Sequence, residues 1–439
     1  MMHLISFLIN SPMNHTVGTW RQPGDQRLDG LGSMEYWKSV GRTLERGKFD
    51  AVFFADVPAA YDHYKDSTDT VVEKGVCWPN HDPLTVLNII ATVTERLGVV
   101  CTKSIAATPP YDLVRAMSTL DYVTGGRAGW NVVTGHLRAE HRALGLEQME
   151  HDARYDRADE YLKVVHAFWN GIEPGAVIAN RETGQFADPS LVKRVTFEGK
   201  YIRTDAVPPV LPSAQGRPVI FQAGSSARGQ KFAIENAEII FAIQPTETGM
   251  HKFMDEIRDT AKAAGAADPK VTFGIQVVLG GTEEEAKRHQ KELADNVPLD
   301  AAMARLSGTL GVDFSKFDPD QPIVAQKTQA SQGGMSTMAG EAGKPRMTLR
   351  EAAMSAGIST TMIQVVGTPE QAASELERLW RETGCTGFNI TPTTNNGSMD
   401  DFVDQVVPIL QARNVFRKEY RYSTLRENLN DDCAADIPA

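Results

Sequence analysis

Residues 125–134 read Gly-Gly-Arg-Ala-Gly-Trp-Asn-Val-Val-Thr. A glycine pair ends a helix and releases the chain into an apolar strand that carries Asn131 and Thr134 with it. A strand buried on both faces of a parallel sheet is filled with Val, Ile, Leu or Ala, so a carboxamide within it needs partners for its donors and its acceptor. Those partners are either core groups or a ligand at the strand's end, and the stretch by itself leaves both readings open.

Outward from this stretch, short apolar runs alternate with amphipathic ones, the cadence of parallel strands joined by crossover helices. Runs at 4–9, 51–55, 98–102, 128–134, 218–223, 239–242, 271–278 and 387–391 predict eight strands. Amphipathic stretches at 34–46, 83–96, 113–123, 155–170, 227–236, 250–264, 282–295 and 369–383 predict the helices between them, and 399–413 closes the ring. Eight such units suit a (β/α)8 TIM barrel, whose ligands bind at the C-terminal ends of the strands; an open doubly wound sheet gives the same cadence. Asp56, Ser104, Asn131, Thr134 and Gly224-Ser225-Ser226 all fall at predicted strand ends. Two stretches break the rhythm and are expected to cover the C-terminal face. One is 171–216, with a candidate hairpin at 196–202; the other is 306–357, rich in Gly, Ser, Met and Gln and read as an active-site lid, with surface disorder as the alternative.

Composition bounds the function. The chain is 41% hydrophobic and 23% charged, ordinary for a globular protein. Its 45 Lys and Arg against 56 Asp and Glu give a net charge of −11 without long runs of one sign. That argues against nucleic acid, which needs a basic stripe, and against an anionic membrane surface. No apolar run approaches the ~20 residues that span a bilayer. Leu4-Ile5-Ser6-Phe7-Leu8-Ile9 is too short, and lacks the basic leader, for a signal peptide. A cytoplasmic protein is therefore expected, with Cys77, Cys101, Cys385 and Cys433 as scattered free thiols. His136 and His141 stand five apart, no cluster has ligand spacing, and no metal is expected. The chain also lacks a dinucleotide-binding glycine motif, a phosphate loop and a nucleophile elbow.

Several polar residues carry chemistry. Gly224-Ser225-Ser226 follows an apolar run and opens a helix, so its hydroxyls and free N–H groups make either an anion site or an ordinary serine cap. His151 and Tyr155, four apart, share a helix face. Asp56 and Ser104 end apolar runs, and His15 lies just past the first, near Trp20-Arg21. Phe7, Phe53, Phe54, Trp130 and Phe241 read mostly as core, with one or two walling an apolar pocket.

Four segments taken together are specific. Residues 45–56 (Glu-Arg-Gly-Lys-Phe-Asp-Ala-Val-Phe-Phe-Ala-Asp), 125–134, 151–161 (His-Asp-Ala-Arg-Tyr-Asp-Arg-Ala-Asp-Glu-Tyr) and 222–229 (Gln-Ala-Gly-Ser-Ser-Ala-Arg-Gly) occur in this order. They resemble the bacterial-luciferase-like flavin monooxygenases, in the branch of nitrilotriacetate and dibenzothiophene sulfone monooxygenases. The resemblance runs from about Met2 to about Leu429. It decides for the barrel, as a single domain over 1–439. It implies FMN, taken up as FMNH2 from a separate NAD(P)H:flavin reductase, and O2. It also implies a small organic substrate of the sulfone or organosulfur, aminopolycarboxylate or haloaromatic type, with C–S or C–N cleavage, and a homodimer or homotetramer. For the site, it implies that Gly224, Ser225, Ser226, His151 and Tyr155 hold the phosphate and ribityl chain, with Asp56 and Ser104 on the flavin ring. Asn131 is implied nearest the reactive edge and His15 at the substrate end, as the catalytic residues. After Ser104 the chain departs from the family, with Ile105-Ala106-Ala107 in place of a Thr-containing continuation. Rival readings are a barrel oxidoreductase using a deazaflavin or NAD(P)H, and a flavin-binding barrel without catalysis.

Overall fold

The computed structural model describes residues 1–339, 347–395 and 397–431. Eight parallel strands form the barrel: β1 (His3–Ile9), β2 (Ala51–Ala55), β3 (Gly98–Ser104), β4 (Ala128–Val133), β5 (Val219–Gln222), β6 (Ile239–Ala242), β7 (Val271–Leu279) and β8 (Gly387–Thr391). Each pairs with the next, and β8 returns to β1, closing the sheet. Alternation sets the two faces. Ile5, Phe7, Ala51, Phe53, Val100, Val219, Phe221, Ile239 and Phe241 point inward as one cluster. Leu4, Leu8, Val52, Phe54, Val99, Trp130, Val132 and Ile220 belong to the core under the helices. Both faces are dry, which explains unbroken apolar runs. Of the five aromatics singled out, Phe54 and Trp130 are helix-side core, and Phe7, Phe53 and Phe241 fill the lumen.

The Gly125-Gly126 pair ends helix Pro110–Val123 with φ of +70° and +90°, and β4 begins two residues later. Helix Pro83–Ala91 stops well before the expected end at 96. Two charged side chains capture the backbone that would continue it. Arg127 Nη1 donates to Leu97 O at 2.8 Å and Nη2 to Thr94 O at 2.9 Å. The Glu45 carboxylate accepts from the N–H groups of Glu95, Arg96 and Leu97 at 2.6–3.0 Å. Strand Ile363–Gly367 was not expected. It exists because β7 has nine residues and β6 only four, so Ile363–Gly367 pairs with Ile275–Leu279 where β6 has ended.

The stretch 306–357 is a folded roof rather than a loop, as far as it is described; 340–346 lies outside the described residues. Helices Leu299–Leu310, Gln332–Ala339 and Leu349–Ser359 build a second hydrophobic core with the β1 and β2 loops, through Met13, Val17, Tyr61, Leu306, Met335 and Ala353. The stretch 171–216 instead follows the flank of helix His151–Trp169: Glu160 accepts from the N–H groups of Lys200, Tyr201 and Ile202, next to the hairpin of Val195–Glu198 and Arg203–Ala206. Its end, at Gln215, bonds to Ala128 O at the start of β4, so the roof over the C-terminal mouth comes from the second stretch.

Leu425 and Leu429 join the lumen cluster from the opposite mouth and plug it, with Leu425 N–H on Gly126 O at 2.9 Å. Cys77, Cys101 and Cys385 are buried free thiols, and Cys433 lies outside the described residues. Among the described residues no helix is long and apolar enough to cross a membrane.

Candidate active site

The turn after β5 leads into helix Ala227–Asn236, and Ser226 is its N-cap, accepting from Gly229 N–H at 3.1 Å. The same hydroxyl faces His151 Nε2 at 3.2 Å. His151 opens helix His151–Trp169, so the helix starts early enough to put His151 and Tyr155 on one face, as their spacing predicts. Tyr155, buried, also reaches Ser226 and Gln222, and burial raises its phenol pKa. Val132, His136, His151, Arg154, Tyr155, Gln222, Gly224, Ser225, Ser226, Thr309 and Gly333 line a cavity of about 230 Å³. Five of the expected cofactor residues thus surround one space. The roof closes over it: a Cβ on Gly333 would lie 2.0 Å from Ser225 Oγ, so the helix approaches the turn closely where it has no side chain.

Asn131 points into the lumen from β4. Its Nδ2 donates to Thr102 Oγ1, its register partner on β3, at 2.9 Å, and its Oδ1 is buried without a partner. Ser104 ends β3 and accepts from Ala106 N–H at 3.2 Å. It also reaches the buried carboxyl of Glu140, whose pKa burial raises and whose Oε1 has no partner. Asp56 follows β2 and is held by Asn80 Nδ2 at 3.4 Å. Burial, with Asp82 and Glu140 adding to it and Lys103 opposing, pushes its carboxyl up to about 7. His15 lies in the loop after β1, stacked on Phe7 with ring centroids 4.0 Å apart. Burial, then Arg305 and Arg27, hold its imidazole neutral, well below the usual range.

Arg154, Gln222 and Glu140 were not singled out in the sequence, and His136 was weighed only as a metal ligand. Gln222 and Arg154 stood inside the quoted motifs, where a polar residue ending an apolar strand and a cation beside His151 and Tyr155 were the available signals. His136 is partly buried, and its pKa is lowered to about 4 by desolvation and by Arg154. Roof residues such as Thr309 and Gly333 gave no local signal. Among the described residues one group has metal-like spacing, Glu247, His251 and Glu382, but Arg378 already bonds Glu247 at 2.9 Å and Glu382 at 2.5 Å.

The residues fit a flavin that carries a phosphate. An N-capped helix start, two hydroxyls, an imidazole and a phenol converge on one cavity, and Arg154 Nε and Gln222 Oε1 are buried there without partners. A sequence model of the luciferase-like monooxygenases matches residues 13–387. The chain belongs to this family. Within it, the chain is 38% identical to the dibenzothiophene-sulfone monooxygenase of Rhodococcus erythropolis (strain XP), over 98% of this chain and 96% of that one. It is 34% identical to nitrilotriacetate monooxygenase component A of Aminobacter aminovorans, over 94% and 93%. Among solved structures it is similar to riboflavin lyase, determined with modified FMN and riboflavin, at TM-score 0.91 and 32% identity, over 99% of this chain and 97% of that one. As a luciferase-like enzyme the chain is a flavin-dependent monooxygenase.

Proposed function

We propose that this luciferase-like monooxygenase takes up FMNH2 made by a separate NAD(P)H:flavin reductase and oxygenates a small organosulfur, aminopolycarboxylate or haloaromatic compound, with C–S or C–N cleavage following. The observation that carries this reading is the convergence of Ser226, Ser225, His151 and Tyr155 on one cavity at a helix start, a cradle for a phosphate. The name "component A" of the nitrilotriacetate relative supports a separate reductase, and the FMN in the riboflavin lyase structure supports the choice of flavin. We place the working enzyme in the cytoplasm, as its composition leads us to expect, and as a homo-oligomer, as the resemblance implies.

Reduced FMN, when bound, supplies the two electrons that divide O2 between the product and water. The chain binds, orients and excludes water. Ser225, Ser226, His151 and Tyr155 hold the phosphate end, with Arg154 as the nearby cation. Asp56, half protonated near pH 7, can donate to or accept from the ring edge. Asn131, held by Thr102, turns its free amide edge to the reacting atoms. Phe7, Phe53, Phe221 and Phe241 keep the lumen dry beneath, and the roof closes the other side. The test is reconstitution. With NADH and FMN the chain alone should show almost no turnover, and adding a competent flavin reductase should start O2-dependent oxygenation within a panel of sulfones, aminopolycarboxylates and haloaromatics. Steady NADH oxidation by the isolated chain would contradict the division of labour.

A further inference from the structure

Beyond the aromatic lumen, the corner around His15 holds more donors and more positive charge than the protein satisfies. Arg27 is 1% exposed and Arg305 is 4% exposed. Arg27 lies over the Trp37 ring at 5.1 Å and donates from Nε to Asn395 Oδ1 at 3.2 Å and from Nη2 to Asn14 Oδ1 at 3.3 Å; its Nη1 has no partner. Arg305 donates from Nη2 to Thr360 Oγ1 at 2.6 Å, and its Nη1 lies 3.5 Å from Met13 Sδ. Among the described residues neither guanidinium pairs with a carboxylate. Asp25, two residues before Arg27, accepts instead from the Arg27 backbone N–H and from Asn395 Nδ2. Buried cations without counter-ions are costly and are normally paired or hydrogen-bonded throughout.

The loop after β1 adds to the excess. Ser11 Oγ, Asn14 Nδ2 and His15 Nε2 are buried without partners. The Asn14 amide is fixed in that sense, because its Oδ1 already accepts from Ile9 N–H at 3.1 Å and from Arg27. A second cavity, of about 180 Å³, is lined by Ser225 of the phosphate turn and by Phe241, Ile243, Thr309, Met338 and Thr361, while Arg27 lines a separate one with Tyr36 and Asn395. Thr361 follows the Thr360 that holds Arg305, Thr309 lies one helical turn from Arg305, and Phe241 packs on Phe7, on which His15 is stacked. Thr360 and Thr361 both hold the left-handed backbone, at φ of 55° and 62°. Two β-branched residues in that region are strained, and such strain persists where the surroundings over-determine it, commonly at ligand sites.

We propose that this corner is the anion-recognising end of the substrate pocket: the substrate carries a carboxylate or sulfonate that Arg305 and the unpartnered donors of Ser11, Asn14 and His15 receive. Arg305 sets the specificity, and Arg27 is a positioning residue that orients the Asn14 amide. The inference rests on the flavin reading, which makes the space above the aromatic lumen the substrate's.

The test uses two probes of one shape, phenylmethanesulfonate and the uncharged benzyl methyl sulfone, titrated calorimetrically into the FMN-loaded chain. The sulfonate should bind at least about tenfold more tightly. Arg305→Met should bring the two within about threefold, and Arg305→Lys should keep part of the preference. A purely structural Arg305 predicts a lower melting temperature with the tenfold ratio intact, and that result overturns the proposal. So does a wild-type chain that binds the two probes alike or binds the sulfonate not at all, a measurement that needs no variant to fold. FMN binding is titrated separately. Its absence from the wild-type chain would sink the flavin reading itself, whereas intact FMN binding without anion preference sinks only this inference.

Discussion

Ser226→Asp separates the two roles that meet in one hydroxyl. Ser226 Oγ caps helix Ala227–Asn236 through Gly229 N–H at 3.1 Å and faces the cavity beside His151 Nε2 at 3.2 Å. Aspartate caps a helix as well as serine does, and a negative charge there gains ~0.3–1 kcal/mol from the helix dipole, so the fold should survive with an unchanged or higher melting temperature. The same carboxylate would stand against the FMN phosphate. Two unit charges about 4 Å apart repel by ~4 kcal/mol at an effective dielectric constant of 20, and the phosphate carries nearly two charges. Even if solvent and counter-ions remove two thirds of this, more than ~1.3 kcal/mol remains, so FMN affinity should fall about tenfold or more. Ser226→Ala is the control: it loses the cap, at ~1 kcal/mol of stability, without adding repulsion. FMN fluorescence and thermal melting on the same samples decide. An aspartate variant that melts like the wild type and binds FMN within about threefold of it would refute the phosphate cradle.

Three further outcomes follow from the geometry. Asn131→Ala should leave O2 consumption running but divert it to hydrogen peroxide, with product formation down roughly 100-fold, the ~2.7–4 kcal/mol typical of one lost donor in a dry site; a variant that loses ~1–3 kcal/mol of stability at wild-type coupling would make Asn131 a core residue only. The Asp56 carboxyl, pushed up to about 7, binds a proton in the fold that the unfolded chain has released above its ordinary value near 4. Between those limits stability should rise as pH falls, by at most ~1.4 kcal/mol per unit, and Asp56→Asn should abolish that slope in chemical denaturation at pH 4.5–6.5. Leu425→Ala, at the plugged mouth, should cost ~2–5 kcal/mol of stability while FMN affinity, measured well below the melting temperature, stays at the wild-type value.

The barrel was legible because closing a parallel sheet inside a ring of helices buries both faces of every strand. That demand writes runs such as Ala51-Val52-Phe53-Phe54-Ala55, and Ala51–Ala55, Ile239–Ala242 and Gly387–Thr391 form strands over the predicted residues. What failed to show locally was set by distant partners. Nothing in residues 92–96 announces that Arg127 and Glu45 will take their backbone groups, so the helical pattern reads on past Ala91. The roof was obscured for a different reason. Its helices approach one another through Ala301, Ala302, Ala352, Ala353 and Ala356, and against the turn through Gly333, so the residues that allow close packing are too small to mark a strongly apolar helix face.

The site was legible wherever chemistry lay within one turn of chain, as with Ser225-Ser226 and the His151/Tyr155 pair, and illegible where strands far apart in sequence complete it. Asn131 shows the boundary between the two. A core asparagine must satisfy its whole amide, yet across the β3–β4 register it meets only Thr102, whose hydroxyl can donate or accept with equal ease. As the amide stands, Nδ2 is on Thr102 and Oδ1 is bare; rotated by half a turn, Oδ1 would accept from the hydroxyl and the amide N–H groups would face the lumen. Either orientation leaves one edge of the carboxamide without a protein partner, in a residue that is 4% exposed. Such an edge is costly unless something from outside the chain completes it. The pairing with Thr102 therefore favours a ligand-facing Asn131 over a satisfied core one, and it lets the ligand choose which edge it meets.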